Sequence, residues 1–81
     1  MNNYIELSPA AYQWILRHPF VSEEKIKSII QQTPISKRHY TDDNHFEIPF
    51  NTKSNNHILA VTVLIHDRIT CYYVYGLHSH Q

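Results

Sequence analysis

The chain of 81 residues has little of several features that mark functional classes. Its single cysteine, Cys71, excludes an intrachain disulfide framework and a cysteine-based zinc site. The longest apolar run, residues 58–65 with one threonine, is far too short to cross a bilayer. The sequence has no basic segment followed by a long apolar stretch, so no secretory signal is indicated. We therefore expect a cytoplasmic protein without membrane contact.

Charge of one sign is also lacking. Seven Lys and Arg residues balance seven Asp and Glu residues, so the formal net charge is zero. This balance argues against a strongly electrostatic binder of nucleic acid or membranes. The seven histidines become cationic only near and below about pH 6.5. An apolar share of 42% and a charged share of 17% indicate one globular domain, residues 1–81.

Two short N-terminal helices are indicated by their caps and apolar periods. Ser8 and Pro9 suit the start of the first helix, which Pro19 ends. Ser22 suits the start of the second helix, which Pro34 stops. The expected apolar faces are Ala11, Tyr12, Ile15 and Leu16 in the first helix and Ile26, Ile29 and Ile30 in the second.

The rest of the chain alternates as strands do. Residues 46–50 predict a half-buried strand, residues 57–66 a central strand and residues 69–75 a returning strand, while residues 4–7 are a weaker candidate for an edge strand. We therefore predict an α+β fold in which two N-terminal helices pack on a three- to four-stranded antiparallel sheet. The lone glycine, Gly76, means that turns depend on Asn and Asp.

The tyrosine-rich last strand indicates which sheet face is open. A hairpin that turns at Asp67 and Arg68 would pair Leu64 with Cys71, Thr62 with Tyr73 and Ala60 with Tyr75. The alternate residues are more uniformly apolar, so we expect the helices on their side, together with Tyr72. Tyr73 and Tyr75 then lie on an open face. Cys71 has no basic flanks and is interpreted as a packed thiol.

One dense basic and aromatic run, Lys37-Arg38-His39-Tyr40, has two interpretations. Its cations suit phosphates, its rings suit stacking on a base, and His39 suits proton transfer. Alternatively the run is a solvated loop whose charge Asp42 and Asp43 cancel.

The C-terminal histidines also have two interpretations. His78 and His80, two residues apart in an extended chain, could share a metal, but no third ligand is evident, and a frayed polar tail is the alternative. We predict no metal and no cofactor.

A metal-independent ribonuclease needs a general base, a general acid and cations at the phosphate. The predicted catalytic residues are His78, His39, Tyr75 and Arg38, and the predicted substrate-binding residues are Lys37, Tyr40 and Tyr73. The alternative is surface histidines and sheet-packing tyrosines.

Three segments carry a family resemblance: Leu7-Ser8-Pro9-Ala10-Ala11, residues 21–34 with Val21-Ser22-Glu23-Glu24-Lys25-Ile26, and Ile69-Thr70-Cys71-Tyr72-Tyr73. With the order of helices and strands, they resemble the RelE/ParE-like toxin superfamily and related small domains. The resemblance implies a toxin-type ribonuclease or an RNA binder directed at translation. The chain departs from it at Ala10, where related domains often carry histidine, and in being neutral where such toxins are basic. Both departures favour a relative with lost or changed activity.

Two functional hypotheses follow. The first is a RelE-like protein that acts on RNA or the ribosome. The second is a non-enzymatic module, of the immunity, antitoxin or phage-inhibitor type, that binds a protein partner. Neutral charge and a tyrosine face favour the second, because tyrosine is enriched in interface cores. An exposed edge strand and a small core also favour a homodimer.

Overall fold

The structure, a computed structural model, describes residues 3–52 and 55–80. Its elements are β1 (Asn3–Leu7), α1 (Pro9–Arg17), α2 (Glu23–Gln32), a 3₁₀ turn (Ile35–Lys37), β2 (His39–Tyr40), β3 (His45–Thr52), β4 (Asn55–His66) and β5 (Ile69–His80). The predicted α+β class and its two N-terminal helices are confirmed. Neither α-helix of the described residues has the length and apolarity to cross a membrane.

The sheet differs from the prediction in strand number and direction. Five strands lie in the order β1-β5-β4-β3-β2, and β1 runs parallel to β5, so the predicted three- to four-stranded antiparallel sheet is wrong. The parallel pair joins the two ends of the chain, for example Ile5 with Tyr72, and no local pattern reveals such a pairing. The strand β2 has only two residues, too few to show an alternation.

Both helices begin at the predicted serines. The Oγ of Ser8 accepts a hydrogen bond from the Ala11 N–H, and that of Ser22 accepts one from the Lys25 N–H, both at 3.1 Å. Each bond satisfies one of the amide groups that a first turn leaves unpaired. In α1 the Ser8 hydroxyl also donates to the Tyr75 carbonyl at 3.4 Å, which ties the helix to β5.

The core lies between the helices and one face of the sheet, here called the covered face. Its fully buried large side chains are Phe46, Ile26, Ile30, Leu59, Val21, Val61 and Val74. The predicted face of α2 is confirmed, since Ile26 and Ile30 are buried and Ile29 packs beside them. The predicted face of α1 is wrong in part: Trp14 and Ile15 join Ala11 at the core, while Tyr12 and Leu16 are exposed.

The β4–β5 hairpin turns where the sequence predicts. Asp67 and Arg68 have φ of 51° and 65°, as a two-residue hairpin turn of type I′ requires. The predicted pairs Leu64–Cys71 and Thr62–Tyr73 are confirmed.

The predicted pair Ala60–Tyr75 is wrong. A β-bulge between Ala60 and Val61 leaves Tyr75 without a partner and pairs Ala60 with Gly76. The bulge also shifts the alternation by one residue, so Leu77 faces the core. The predicted frayed tail is wrong as well. His78 lies within β5 and pairs with Ile58 of β4.

Candidate functional site

The face of the sheet opposite the helices, here called the open face, gathers aromatic and imidazole side chains. Alternation and register assign to it Tyr4, Glu6, His39, His45, Glu47, Pro49, Ile58, Ala60, Thr62, Leu64, Cys71, Tyr73, Tyr75, Gly76 and His78. The predicted location of Tyr73 and Tyr75 is confirmed. Tyr72 points the other way and packs on the core, as predicted.

The bulge in β5 positions the centre of the open face. Without it, Gly76 and His78 would alternate onto the covered face. With it, Gly76 pairs with Ala60 next to the unpaired Tyr75, and His78 follows on the open side. The His78 ring lies against Gly76: a Cβ at position 76 would come within 3.0 Å of the His78 Nε2 atom. The glycine therefore makes room for the imidazole.

Tyr75 contacts a histidine that the sequence did not single out as functional. The rings of His45 and Tyr75 meet edge to face, with centroids 5.8 Å apart. The Nδ1 of His45 lies 2.8 Å from the Asp42 Oδ1, which also accepts from the N–H groups of Asn44 and His45. The hydrogen bond from His45, followed by that of the Asn44 amide, lowers the pKa of Asp42. In this Asp-x-x-His turn Asp42 contacts the Nδ1 atom of His45 and not the Nε2 atom.

A depression of about 400 Å³ opens beside His39. Its lining includes His39, Glu47, Pro49, Asn51, Asn56 and Ile58. His39 and Glu47 are cross-strand neighbours of β2 and β3. The strand β2 therefore puts the predicted residue His39 on the same face as Tyr73, Tyr75 and His78, towards the β2 edge of the sheet.

The open face carries no cationic Lys or Arg side chain among its described strand residues; its formal charges are those of Glu6 and Glu47. Cys71 pairs with Tyr4 of β1, and Glu6 lies two residues further along that strand on the same face. Burial, and then the charge of Glu6, raise the pKa of the Cys71 thiol, which agrees with its interpretation as a packed thiol.

Arg38 and Tyr40 lie on the covered side, away from the other predicted catalytic residues. Arg38 sits over the rings of Phe46 and Tyr72, with its Cζ 4.9 Å and 5.2 Å from their centroids. Tyr40 pairs with Phe46 and contacts its ring. Lys37 is exposed in the 3₁₀ turn. The sheet thus separates Arg38 from Tyr75 and His78, and the predicted cation does not converge with the predicted acid and base.

A second cluster of histidines lies in the covered layer. His57 is 2% exposed, with its Nε2 2.8 Å from the Thr52 Oγ1 and its Nδ1 without a partner among the described residues. The Trp14 ring stacks on the His18 ring, with centroids 3.7 Å apart, and meets the His57 ring edge to face, with centroids 5.1 Å apart. Burial, and then the nearby His18, lower the pKa of His57. Its surroundings therefore disfavour protonation of this imidazole.

No group of three or more His, Cys, Asp or Glu side chains capable of holding a metal occurs within the described ranges 3–52 and 55–80. The side chain of His80, the proposed second ligand beside His78, lies outside the described residues.

Sequence reasoning considered His45 and His57 only as possible further metal ligands beside His78, and it did not predict the contacts of Asp42, His45 and His57 described here. The spacing Asp-x-x-His before a strand is a usable signal for the first two, because an Asx turn brings both side chains together. His57 had no local signal, because its environment comes from α1 and β3. The predicted catalytic grouping joined Arg38 with His39, its neighbour in the sequence. In the fold Arg38 precedes β2 and lies over Phe46 and Tyr72 on the covered side, whereas His39 lies on the open face.

No protein-family model, no curated protein and no solved structure matches this chain.

Proposed function

We propose that this chain is a non-enzymatic protein-binding domain whose contact surface is the open face, centred on Tyr73, Tyr75 and His45. The observation that carries the proposal is the composition of that face: tyrosine and imidazole rings beside apolar side chains, with no Lys or Arg on its described strands. Tyrosine supplies contact area at low cost in conformational entropy, and interface cores are depleted of charge.

The geometry of the open face suits a rigid contact surface. Tyr73 pairs with Thr62 of the neighbouring strand and is half-buried. Tyr75 is 40% exposed, and its ring contacts the His45 ring. Asp42 in turn fixes His45 through two contacts of 2.8 Å and 3.0 Å. Side chains that are held in place before binding lose less freedom on binding. The expected partner is a folded protein, either an antitoxin or a target.

Site-specific photocrosslinking tests this proposal. A benzoylphenylalanine at position 73 is irradiated in cells that produce the protein, and the same residue at exposed Gln13 of α1 is the control. We expect an adduct at position 73 that survives ribonuclease, is destroyed by protease, and contains a second protein. An adduct equally strong at position 13, or one that contains only a second copy of this chain, would contradict the proposal.

A matched pair of tyrosines then tests affinity. Tyr75→Ala should reduce recovery of the crosslinked partner at least about tenfold, as expected for an anchor at the centre of an interface. Tyr12→Ala on α1 is the control, since Tyr12 is 44% exposed and Tyr75 40%. Equal losses for the two variants would exclude the open face as the contact surface.

The second candidate is the RelE-like function on RNA or the ribosome. It is supported by the rings of His45, Tyr73 and Tyr75 on one sheet face, since bases stack on such rings, although phosphate binding on that face lacks a Lys or Arg. A ribonuclease-sensitive adduct at position 73 would favour this candidate.

Incubation of the protein with RNA in EDTA, with and without ribosomes, tests cleavage. The ribonuclease hypothesis expects cleavage that the Arg38→Ala/His78→Ala double variant abolishes. Absence of cleavage, or equal cleavage by that variant, would remove these residues from a catalytic role.

A further inference from the structure

Arg38 follows the 3₁₀ turn and is bound by several contacts beside the C-terminal end of α2. Its Nε–H donates to the Thr33 carbonyl at 3.2 Å, and its guanidinium lies on the faces of Phe46 and Tyr72. One terminal nitrogen, Nη1, lies 3.5 Å from both the Tyr40 and the Tyr72 hydroxyl oxygens. The planar cation therefore has little freedom left to lose when a ligand binds.

The surroundings of Arg38 are rich in donors and poor in acceptors. In accepting from Nη1, each tyrosine hydroxyl keeps its own hydrogen, and neither donates to an acceptor among the described residues. The other terminal nitrogen, Nη2, has no hydrogen-bond partner there, and Arg38 forms no ion pair with a carboxylate of those residues. Arg38 is half-buried, so solvent replaces only part of the missing acceptor.

A small cavity lies beside this group of donors. It measures about 150 Å³ and is lined by Ile5, Ile30, Gln31, Arg38 and Tyr72. The partial negative charge at the C-terminal end of α2 opposes an anion here. That partial charge is about half an elementary charge, and Arg38 already bonds to the Thr33 carbonyl, so the full charge of the guanidinium prevails.

We infer that Arg38, Tyr40 and Tyr72 form a binding site for a phosphate group on the covered side of the sheet. The Nη2 amino group and the two phenolic hydroxyls together offer several hydrogen-bond donors, which suits the several oxygens of a tetrahedral oxyanion. Arg38 and Tyr72 line the cavity, and Tyr40 joins them through the Arg38 Nη1 atom. The site goes beyond the proposed function, because it lies on the face opposite the open-face contact surface and can be occupied with or without a protein partner.

Nuclear magnetic resonance titration tests the site in the intact chain. The Arg38 Nε–H and the Tyr72 ring are followed while inorganic phosphate replaces chloride at constant ionic strength and pH 7.5. We expect saturable shifts with a dissociation constant of about 1–10 mM, because one charged donor and two neutral donors act without a metal. Shifts that stay linear, or that match those in chloride, would overturn the inference.

Three variants of the site and one control separate the site from general charge. Tyr72→Phe removes a donor hydroxyl but keeps the aromatic wall, and should weaken phosphate binding about tenfold. Arg38→Gln should abolish it; Arg38→Lys keeps the charge without the planar fork and should weaken it about tenfold. Lys37→Gln makes the same charge change as Arg38→Gln one residue away and should leave the affinity within about twofold. Equal losses for Lys37→Gln and Arg38→Gln, or no loss for Tyr72→Phe, would overturn the site.

Two further ligands identify the source and the shape of the anion. Phenyl phosphate that binds at least as tightly as inorganic phosphate supports a phosphate ester as the natural ligand, whereas its exclusion supports free phosphate. Acetate should bind at least about fivefold more weakly than phosphate, because two oxygens meet fewer of the site's donors. Acetate binding as tight as phosphate would overturn the assignment to a phosphate group.

Discussion

The two faces of the sheet come from the same strands and have opposite characters. On the covered face Phe46, Leu59 and Val61 are fully buried under the two helices. On the open face their immediate neighbours His45 and Thr62 lie beside tyrosines, and no helix of the described residues covers them. The comparison teaches that the alternation of side chains along the same strands, together with one layer of helices, separates the core of this protein from its candidate contact surface.

The largest expected contrast between the faces is in stability. Phe46→Ala should lower the free energy of unfolding by about 3–5 kcal/mol, since it empties a fully buried site. Tyr75→Ala on the open face should cost less than about 1 kcal/mol. Urea denaturation of both variants measures the difference. Equal losses would mean that a covering element also shields the open face.

Buried His57 predicts a pH dependence that belongs to the covered face. Because burial lowers its pKa, the unfolded chain binds the proton first as the pH falls below about 6.5. The free energy of unfolding should then fall by up to about 1.4 kcal/mol per pH unit, until the folded-state pKa is reached. Urea denaturation between pH 7.5 and 5 measures this slope.

Two histidine variants isolate the contribution of His57. His57→Phe should flatten the slope by removing the titrating group from its contacts with Trp14 and Phe50. His66→Gln should keep the wild-type slope, since the His66 side chain is 93% exposed. An unchanged slope in His57→Phe would show that another group governs stability in mild acid.

The two helix caps allow a comparison of smaller stability effects, between a cap that also contacts the sheet and one that does not. Ser8 is 6% exposed and also donates to β5, whereas Ser22 is exposed and caps only its own helix. Ser8→Ala should cost about 1–2 kcal/mol and Ser22→Ala about 0.5–1 kcal/mol. Thermal and urea unfolding give both values. A Ser22→Ala cost at or above that of Ser8→Ala would mean that the contact with Tyr75 adds no stability.

The smallest expected effect is at Gly76 on the open face. An added Cβ meets the far end of a flexible side chain, the His78 Nε2 atom at 3.0 Å, so Gly76→Ala should change stability by less than about 0.5 kcal/mol. It should nevertheless displace the His78 ring, visible as a shift of its proton resonances. Ser79→Ala is the neighbouring control and should leave that ring in place. Unshifted His78 resonances in Gly76→Ala would contradict the described packing.

Much of the local structure could be predicted because it depends on neighbours in the chain. The serine caps, the Ile26 and Ile30 stripe and the hairpin turn at Asp67 were read correctly. Of the candidate site, the placement of Tyr73 and Tyr75 was predicted from the hairpin register. The partnership of Asp42 with His45 was not predicted, although it too is local.

The sequence by itself therefore determined the α+β class, the helix starts, the alternation of β3 and the first pairs of the last hairpin. Each rests on interactions within a few residues or on a period that one strand displays alone. The tertiary structure decided the parallel β1–β5 pair, the bulge opposite Ala60, and the opposite placements of Arg38 and His78. These depend on which distant strands meet and on what the helices cover. A chain carries no local record of which distant strands meet, because long-range pairing is selected by the packing of the whole core.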